Sequence, residues 1–185
     1  QQAIVRENAT LGFASETDTF GGRLYTETNA HVAWMFQNHY QHLTSRKYEL
    51  QLKAAIDFVL SGQASTSDFY EYYDLGGQVW KNSGSLCPWN ARLSALISLC
   101  AINMRRLPEV AISYAYWNRV IERVERFVEA WWHVGMRSDG AWAFRYGEQV
   151  QQEIADNGMM LAMLAVLSAY EMRWGSQAKG VRYST

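Results

Sequence analysis

The residues able to do chemistry gather in two stretches. Asp139, Glu148, Glu153 and Asp156 fall in 138–156, and Asp68, Glu71 and Asp74 fall in 62–88. Two carboxyl groups facing each other across a glycosidic bond, one protonated and one ionised, would hydrolyse it. A base that takes the proton beside a uronate carboxylate, with a cation to steady the resulting anion, would instead cleave by elimination. Arg92 and Arg145 are the candidate cations, and Tyr146, Tyr73 and His31 the candidate bases. Simple surface ion pairing is the plain alternative for each of these charged groups.

A second set of residues could bind rather than react. Tyr25, Trp80 and Trp142 each follow a glycine turn, in Gly21-Gly22-Arg23-Leu24-Tyr25, Gly76-Gly77-Gln78-Val79-Trp80 and Asp139-Gly140-Ala141-Trp142. Rings at these places would stack on sugar faces or plug the junctions between helices. Asn29, Asn90 and Asn157 then each open an apolar run, where an Asn side chain either caps a helix or faces a cleft. His31, Met35, Asn38 and His42 share one helical face with His39 nearby, but no paired acid motif accompanies them, and neither a metal nor a cofactor is expected. His133 stands alone as a packing or capping residue.

The elements that must position these residues form an internal repeat. A glycine turn, an aromatic loop and an Asn-opened apolar helix recur, with 61 positions from Asn29 to Asn90 and 67 from Asn90 to Asn157. Helices are expected from Asn29 to about Leu43, Lys47 to Leu60, Asn90 to about Met104, Pro108 to about Trp132 and Asn157 to about Trp174. The second is amphipathic, and the third should be buried nearly all round. In the fourth, Trp117, Val120, Ile121, Val124, Val128 and Trp131 make the apolar stripe, while Arg119, Glu122, Arg123, Glu125, Arg126 and Glu129 make a wet face. The segments 62–88 and 135–155 read as long aromatic loops, 1–20 as an N-terminal arm, and the tail after Gly175 as polar and short. On that reading the last apolar helix lacks an amphipathic partner, and the open side of Met159 to Leu167 must be covered by something.

Composition sets the remaining bounds. At 185 residues, 49% hydrophobic and 19% charged with two prolines, the chain suits one folded domain. Eight Trp and eleven Tyr exceed what such a core requires, so part of the aromatic surface should line a groove or an interface. A net charge of -1 with no basic stripe leaves no field for a phosphate backbone, so no nucleic-acid partner is expected. The longest apolar run, Gly158 to Leu167, is shorter than a bilayer span, so no membrane partner is expected either. Cys87 and Cys100 lack metal-ligand spacing and are either two thiols or a disulfide. The start at Gln1 reads as a processed chain or an excerpt, and Asn8-Ala9-Thr10 is a formal glycosylation sequon.

The order of parts over Gly21 to Trp174 resembles the α/α toroid, the helical-hairpin barrel of polysaccharide lyases, glycoside hydrolases, uronate epimerases, triterpene cyclases and protein prenyltransferases. Lys53 to Gln63 followed by Gly77-Gln78-Val79-Trp80 is similar to the Gln-to-Trp repeat of triterpene cyclases, yet their Asp-rich motif and the zinc ligands of prenyltransferases are absent. The carbohydrate-active toroids are therefore the better match. The resemblance implies an all-α fold of three helical hairpins, the last incomplete, in a complete or partial toroid with the aromatic loops at its mouth. It implies a domain that binds and cleaves a polysaccharide or oligosaccharide as lyase or hydrolase, through Arg92, Asp139, Arg145, Tyr146, Glu148 and Asp156 for chemistry. Tyr25, Asn29, Tyr73, Trp80, Asn90, Trp142 and Asn157 would bind substrate, and a secreted or periplasmic setting would suit that role. The alternative is a non-catalytic assembly module packing on a neighbouring subunit, since a full toroid has more hairpins than this chain; a homo-oligomer or a larger protein would then complete the ring.

Overall fold

The structure is a computed structural model describing residues 2–6, 9–14, 22–43, 48–83, 87–107, 110–135, 144–146, 149–151 and 154–184. For 2–14, 42–43, 133–135, 144–146 and 149–151 the description covers the backbone alone. Its helices are α1 Thr26–Leu43, α2 Glu49–Ser61, α3 Pro88–Arg106, α4 Tyr114–Gly135, α5 Ile154–Trp174 and α6 Gln177–Ser184. The strands are short: β1 Gln2–Arg6, β2 Ala9–Ala14, β3 Arg23–Tyr25, β4 Tyr72–Asp74, β5 Val79–Lys81, β6 Phe144–Tyr146 and β7 Gln149–Gln151.

Side-chain bonds fix how the helices run. Arg92 in the first turns of α3 reaches Glu27 of α1 and Asp156 of α5, so all three begin at one end. Farther along, Gln37 of α1 meets Asn103 of α3 at 3.2 Å, and Arg105 of α3 meets Tyr170 of α5. The helices α1, α3 and α5 therefore lie parallel, with α3 between the other two. Outside them α2 and α4 run the opposite way, joined in register by Glu49 accepting from the Ile112 N–H, the Tyr116 hydroxyl donating to the Lys53 carbonyl, and Gln63 bonding Arg123. Alternate helices thus form two layers, the helical-hairpin arrangement of an α/α toroid. One hydrophobic core joins them, with Trp117, Trp131, Phe69, Phe127, Ile97 and Met104 fully buried.

Several boundaries differ from the sequence reading. The inner helices start two or three residues before Asn29, Asn90 and Asn157, because other residues make the first turn. Thr26 ties its hydroxyl and N–H to the carbonyls of Tyr70 and Glu71, and Pro88 opens α3 after an extended Cys87. The helix expected from Pro108 begins only at Tyr114, where Ser113 accepts from the Tyr116 N–H. The polar tail folds as α6, giving α5 the outer partner that the sequence reading denied it. Gly180 permits that approach, since a Cβ there would stand 2.5 Å from Met172 Cγ. Helix α6 also covers Glu125, which is buried rather than wet and accepts from Lys179 at 2.7 Å and Tyr183 at 3.2 Å. Burial pushes the Glu125 carboxyl up against the opposing pull of Lys179.

The expected aromatic loops carry strands. β3, β4 and β5 form an antiparallel meander in which Leu24 pairs with Tyr73 and Tyr73 with Trp80. β1 pairs with β2, and β6 with β7. Neither cysteine is bridged: Cys100 is buried in α3 and Cys87 borders the same helix, roughly 19 Å away by helical rise, too far for a disulfide.

Two changes test this framework. Asn90→Ala leaves the buried Phe69 N–H without the 2.6 Å bond it now makes to the Asn90 side chain, and should lower unfolding free energy in urea by about 1–3 kcal/mol. Gly62→Ala puts a Cβ 2.8 Å from the Trp80 ring and should cost roughly 1–3 kcal/mol while shifting Trp fluorescence. Unchanged unfolding midpoints in both would show that the sheet is not clamped to α2 and α3 as described.

Candidate functional site

The first turns of α1, α3 and α5 converge on one guanidinium. Arg92 Nε lies 2.6 Å from Asp156 Oδ1 and a terminal nitrogen lies 3.4 Å from Oδ2, a two-pronged contact. The other terminal nitrogen is 3.5 Å from Glu27 Oε1, and that oxygen is 3.8 Å from Nε2 of His31, one turn along α1. Asp156 is fully buried, Glu27 and Arg92 are half-buried, and His31 is 54% exposed. The reachable chemistry is therefore the Glu27–His31 pair with the open side of Arg92.

Electrostatics keep this cluster charged. Burial acts to raise the Glu27 carboxyl, but the His31 contact and the Arg92 charge outweigh it and hold Glu27 below the usual carboxylate range. The bond to Asp156 raises Arg92 further, with Glu27 adding to it against partial burial. Three helix N-termini also point their positive ends here, which favours the acids in the first turns of α1 and α5. An ionised carboxylate beside an exposed imidazole can accept and return a proton, with the imidazole as carrier.

The three candidate asparagines divide by role. Asn90 is fully buried and fastens α3 to the preceding segment, accepting from Phe69 N–H and donating to the Cys87 carbonyl at 3.4 Å. Asn29 is equally buried and donates to the Tyr25 carbonyl at 2.8 Å, holding the junction between β3 and α1. Asn157 sits half-buried next to Asp156 at the convergent end.

Strand alternation sorts the aromatic candidates. Leu24, Tyr73 and Trp80 share the face turned toward Phe58 of α2, where Trp80 lies 5.1 Å from both Phe58 and Tyr73 by ring centroids. Trp80 and Tyr73 thus pack the junction between sheet and helix. Tyr25 occupies the other face with Tyr72, their rings 5.4 Å apart and the Arg23 guanidinium 4.7 Å above Tyr72. Tyr25 leads directly into the turn that carries Glu27, placing this half-buried ring pair beside the start of α1.

Of the remaining candidates, Asp139, Trp142, Glu148 and Glu153 lie outside the described residues. Arg145 and Tyr146 are on β6, which runs against α3, and their side chains are not described. Asp68 is buried with Thr66, Glu71 accepts from Asn82 at 2.7 Å, and Asp74 holds the Gly76 N–H in the hairpin turn. Among the described residues no three His, Cys, Asp or Glu groups assemble as a metal-ligand set. No helix among them is long and apolar enough to cross a membrane. A cleft of about 630 Å³ lined by Leu50, Lys53, Ile112, Tyr116 and Arg119 opens at the opposite end, where α2 and α4 begin.

Glu27 and Tyr72 were not singled out from sequence. Each had a signal: Glu27 is an acid in the first turn of the first repeat, as Asp156 is in the third, and Tyr72-Tyr73-Asp74 alternates as a strand does.

Comparison with known proteins bears on the fold alone. No protein-family model matches the sequence, and no curated protein is similar to it. A solved structure of a glycoside hydrolase of family 105 from C. acetobutylicum ATCC 824 superposes with a TM-score of 0.63 at 13% identity, over 90% of this chain and 48% of its own. The chain thus spans about half the length of that enzyme and is similar to it in its helical toroid architecture.

Proposed function

We propose that the chain is a carbohydrate-active domain that binds a polysaccharide at the convergent end of α1, α3 and α5 and cleaves it there. The observation that carries this reading is the Glu27–His31 pair held by Arg92, next to the Tyr25–Tyr72 rings. Rings at that spacing offer an apolar platform for a sugar face. Arg92 and the helix ends favour an acidic sugar, so a uronate-containing polymer fits best. His31 then takes the proton, Glu27 orients the imidazole and steadies its charged form, and Arg92 keeps Glu27 ionised. In elimination that proton comes from the carbon beside the uronate carboxylate, the glycosidic C–O bond breaks, a C=C bond forms and the departing oxygen is protonated. In hydrolysis the same base takes the proton from water. The family 105 enzyme supports a glycan substrate by architecture only.

Incubation with neutral and uronate polysaccharides, followed by chain length, tests the reading. Shortening of a uronate polymer is expected, with ultraviolet absorbance of the new double bond marking elimination. His31→Ala should slow it by about a hundredfold or more, while Tyr25→Ala with Tyr72→Ala should raise KM more than it lowers kcat. A folded protein that shortens no polymer overturns the proposal.

The ion pairs add two expectations. Arg92→Leu strands the buried Asp156 carboxylate and should lower stability by about 3–5 kcal/mol, most of it regained when Asp156→Leu is added. Because the folded Glu27 carboxyl lies below its unfolded value of about 4.3, its stabilisation is present above that pH and lost as pH falls through the folded value. Thermal midpoints from pH 6 to 2 should therefore decline less steeply in Glu27→Gln than in the wild type.

A further inference from the structure

We propose that two copies of this chain close into one ring, the α5 edge of each seated on the α1 edge of the other. The three inner helices form a row in which α3 has an inner neighbour on both sides while α1 and α5 have one each. Both open edges carry exposed apolar side chains. On α5 these are Ile154, 91% exposed, Leu161, 61%, and Met172, 49%, with Ala162, Ala165 and Ala169 exposed between them. These positions recur at helical spacing, and among the exposed positions of α5 the first charged one is Arg173. Single exposed leucines are ordinary on a protein surface, but an apolar row about 27 Å long is a contact surface. On α1 the corresponding side shows Trp34 and Met35, 40% and 50% exposed.

The occupant follows from how these edges are made. The small residues of α5 let another helix approach closely, while Leu161 and Ile154 are large enough to fit beside rings such as Trp34. The family 105 structure continues the same architecture for about as much chain again, since this chain matches 48% of it. Two copies supply that second half, and a net charge of -1 raises little repulsion between them. A two-fold axis along the ring axis brings α5 of each copy to α1 of the other, so both seams are identical and the assembly closes. Two seams of about 27 Å by about 10 Å bury roughly 1,100 Å² in total, above the roughly 1,000 Å² of a specific interface. The ring also sets two Arg92 clusters around one mouth. None of this depends on whether that mouth cleaves a glycan.

Sedimentation equilibrium of the 185-residue chain tests the proposal, with a mass twice the 21.2 kDa of one copy expected at high concentration. Leu161→Glu should raise the dissociation constant at least a hundredfold while circular dichroism stays unchanged, and Arg126→Ala on the exposed side of α4 should leave it unaltered. In a Cys87→Ser background, Trp34→Cys with Leu161→Cys should form a disulfide between copies on mild oxidation. A monomer at every concentration overturns the proposal, as does a dimer indifferent to Leu161→Glu. Crosslinking of Leu161→Cys alone to its own counterpart, which places α5 on α5, overturns it too. These readouts are independent of cleavage, so failure of the ring and failure of the glycan reading are separately visible.

Discussion

Parallel helices set side by side have a cost that the Arg92 cluster answers. The starts of α1, α3 and α5 bring three positive helix ends together, an arrangement that repels unless negative charge lies between them. Glu27 and Asp156 supply that charge from first turns, and Arg92 bridges the two acids so that neither is left unpaired. Asp156 is fully buried, so its carboxylate depends on the two-pronged contact with Arg92 for the hydrogen bonds that water would otherwise give. The outer helices run the opposite way, which opposes the dipoles of the inner row over the rest of their length. The inner layer thus has an obligatory polar end, and that end is where exposed His31 and the Tyr25–Tyr72 pair are found.

The same bond that steadies the fold also sets the limits of the site. A guanidinium holding two carboxylates keeps Glu27 ionised, so Glu27 suits the role of orienting a proton carrier better than that of donating a proton itself. His31 is the one member of the cluster more than half exposed, which makes it the group a substrate would meet first. Aromatic residues obey a comparable division. The face of β4 and β5 that packs on α2 takes Tyr73 and Trp80 for cohesion, and strand alternation then leaves Tyr72 with Tyr25 on the other face.

Much of this was legible in the sequence, for reasons that can be named. The glycine turns and the Asn-opened apolar runs marked the repeat, and the helical spacing of Trp117, Val124 and Trp131 marked the buried face of α4, because both signals arise within one or two turns of chain. The pairing of Arg92 with Asp156 spans 64 positions and was visible only as two candidates named separately. Three-residue strands such as Val79–Lys81 are too short for alternation to declare itself, so their segments read as loops. Helix α6 was missed because Gln177–Ser184 has little apolar content; it is held by Lys179 and Tyr183 bonding Glu125 and by Gly180 fitting against Met172. The asparagines, read as helix caps, show how one residue type serves two ends. Set inside the first turn, Asn29 and Asn90 donate back to the chain before the helix and fix its entry.

Helix α5 joins these threads because its pattern is inverted relative to an ordinary surface helix. Its buried polar residues are Asp156 and Glu171, near its two ends, where Arg92 and the Ser176 N–H receive them. Its exposed residues between Ile154 and Met172 are apolar. Buried acids with partners cost little, whereas exposed apolar rows gain nothing from water, so the sequence of α5 is matched to its neighbours at the ends and unmatched along its outer side. The apolar content of α5 is thus greater than packing on α3 and α6 requires. An inner helix with that surplus has the composition of one flanked on both sides, as α3 is, rather than of the last helix in a row.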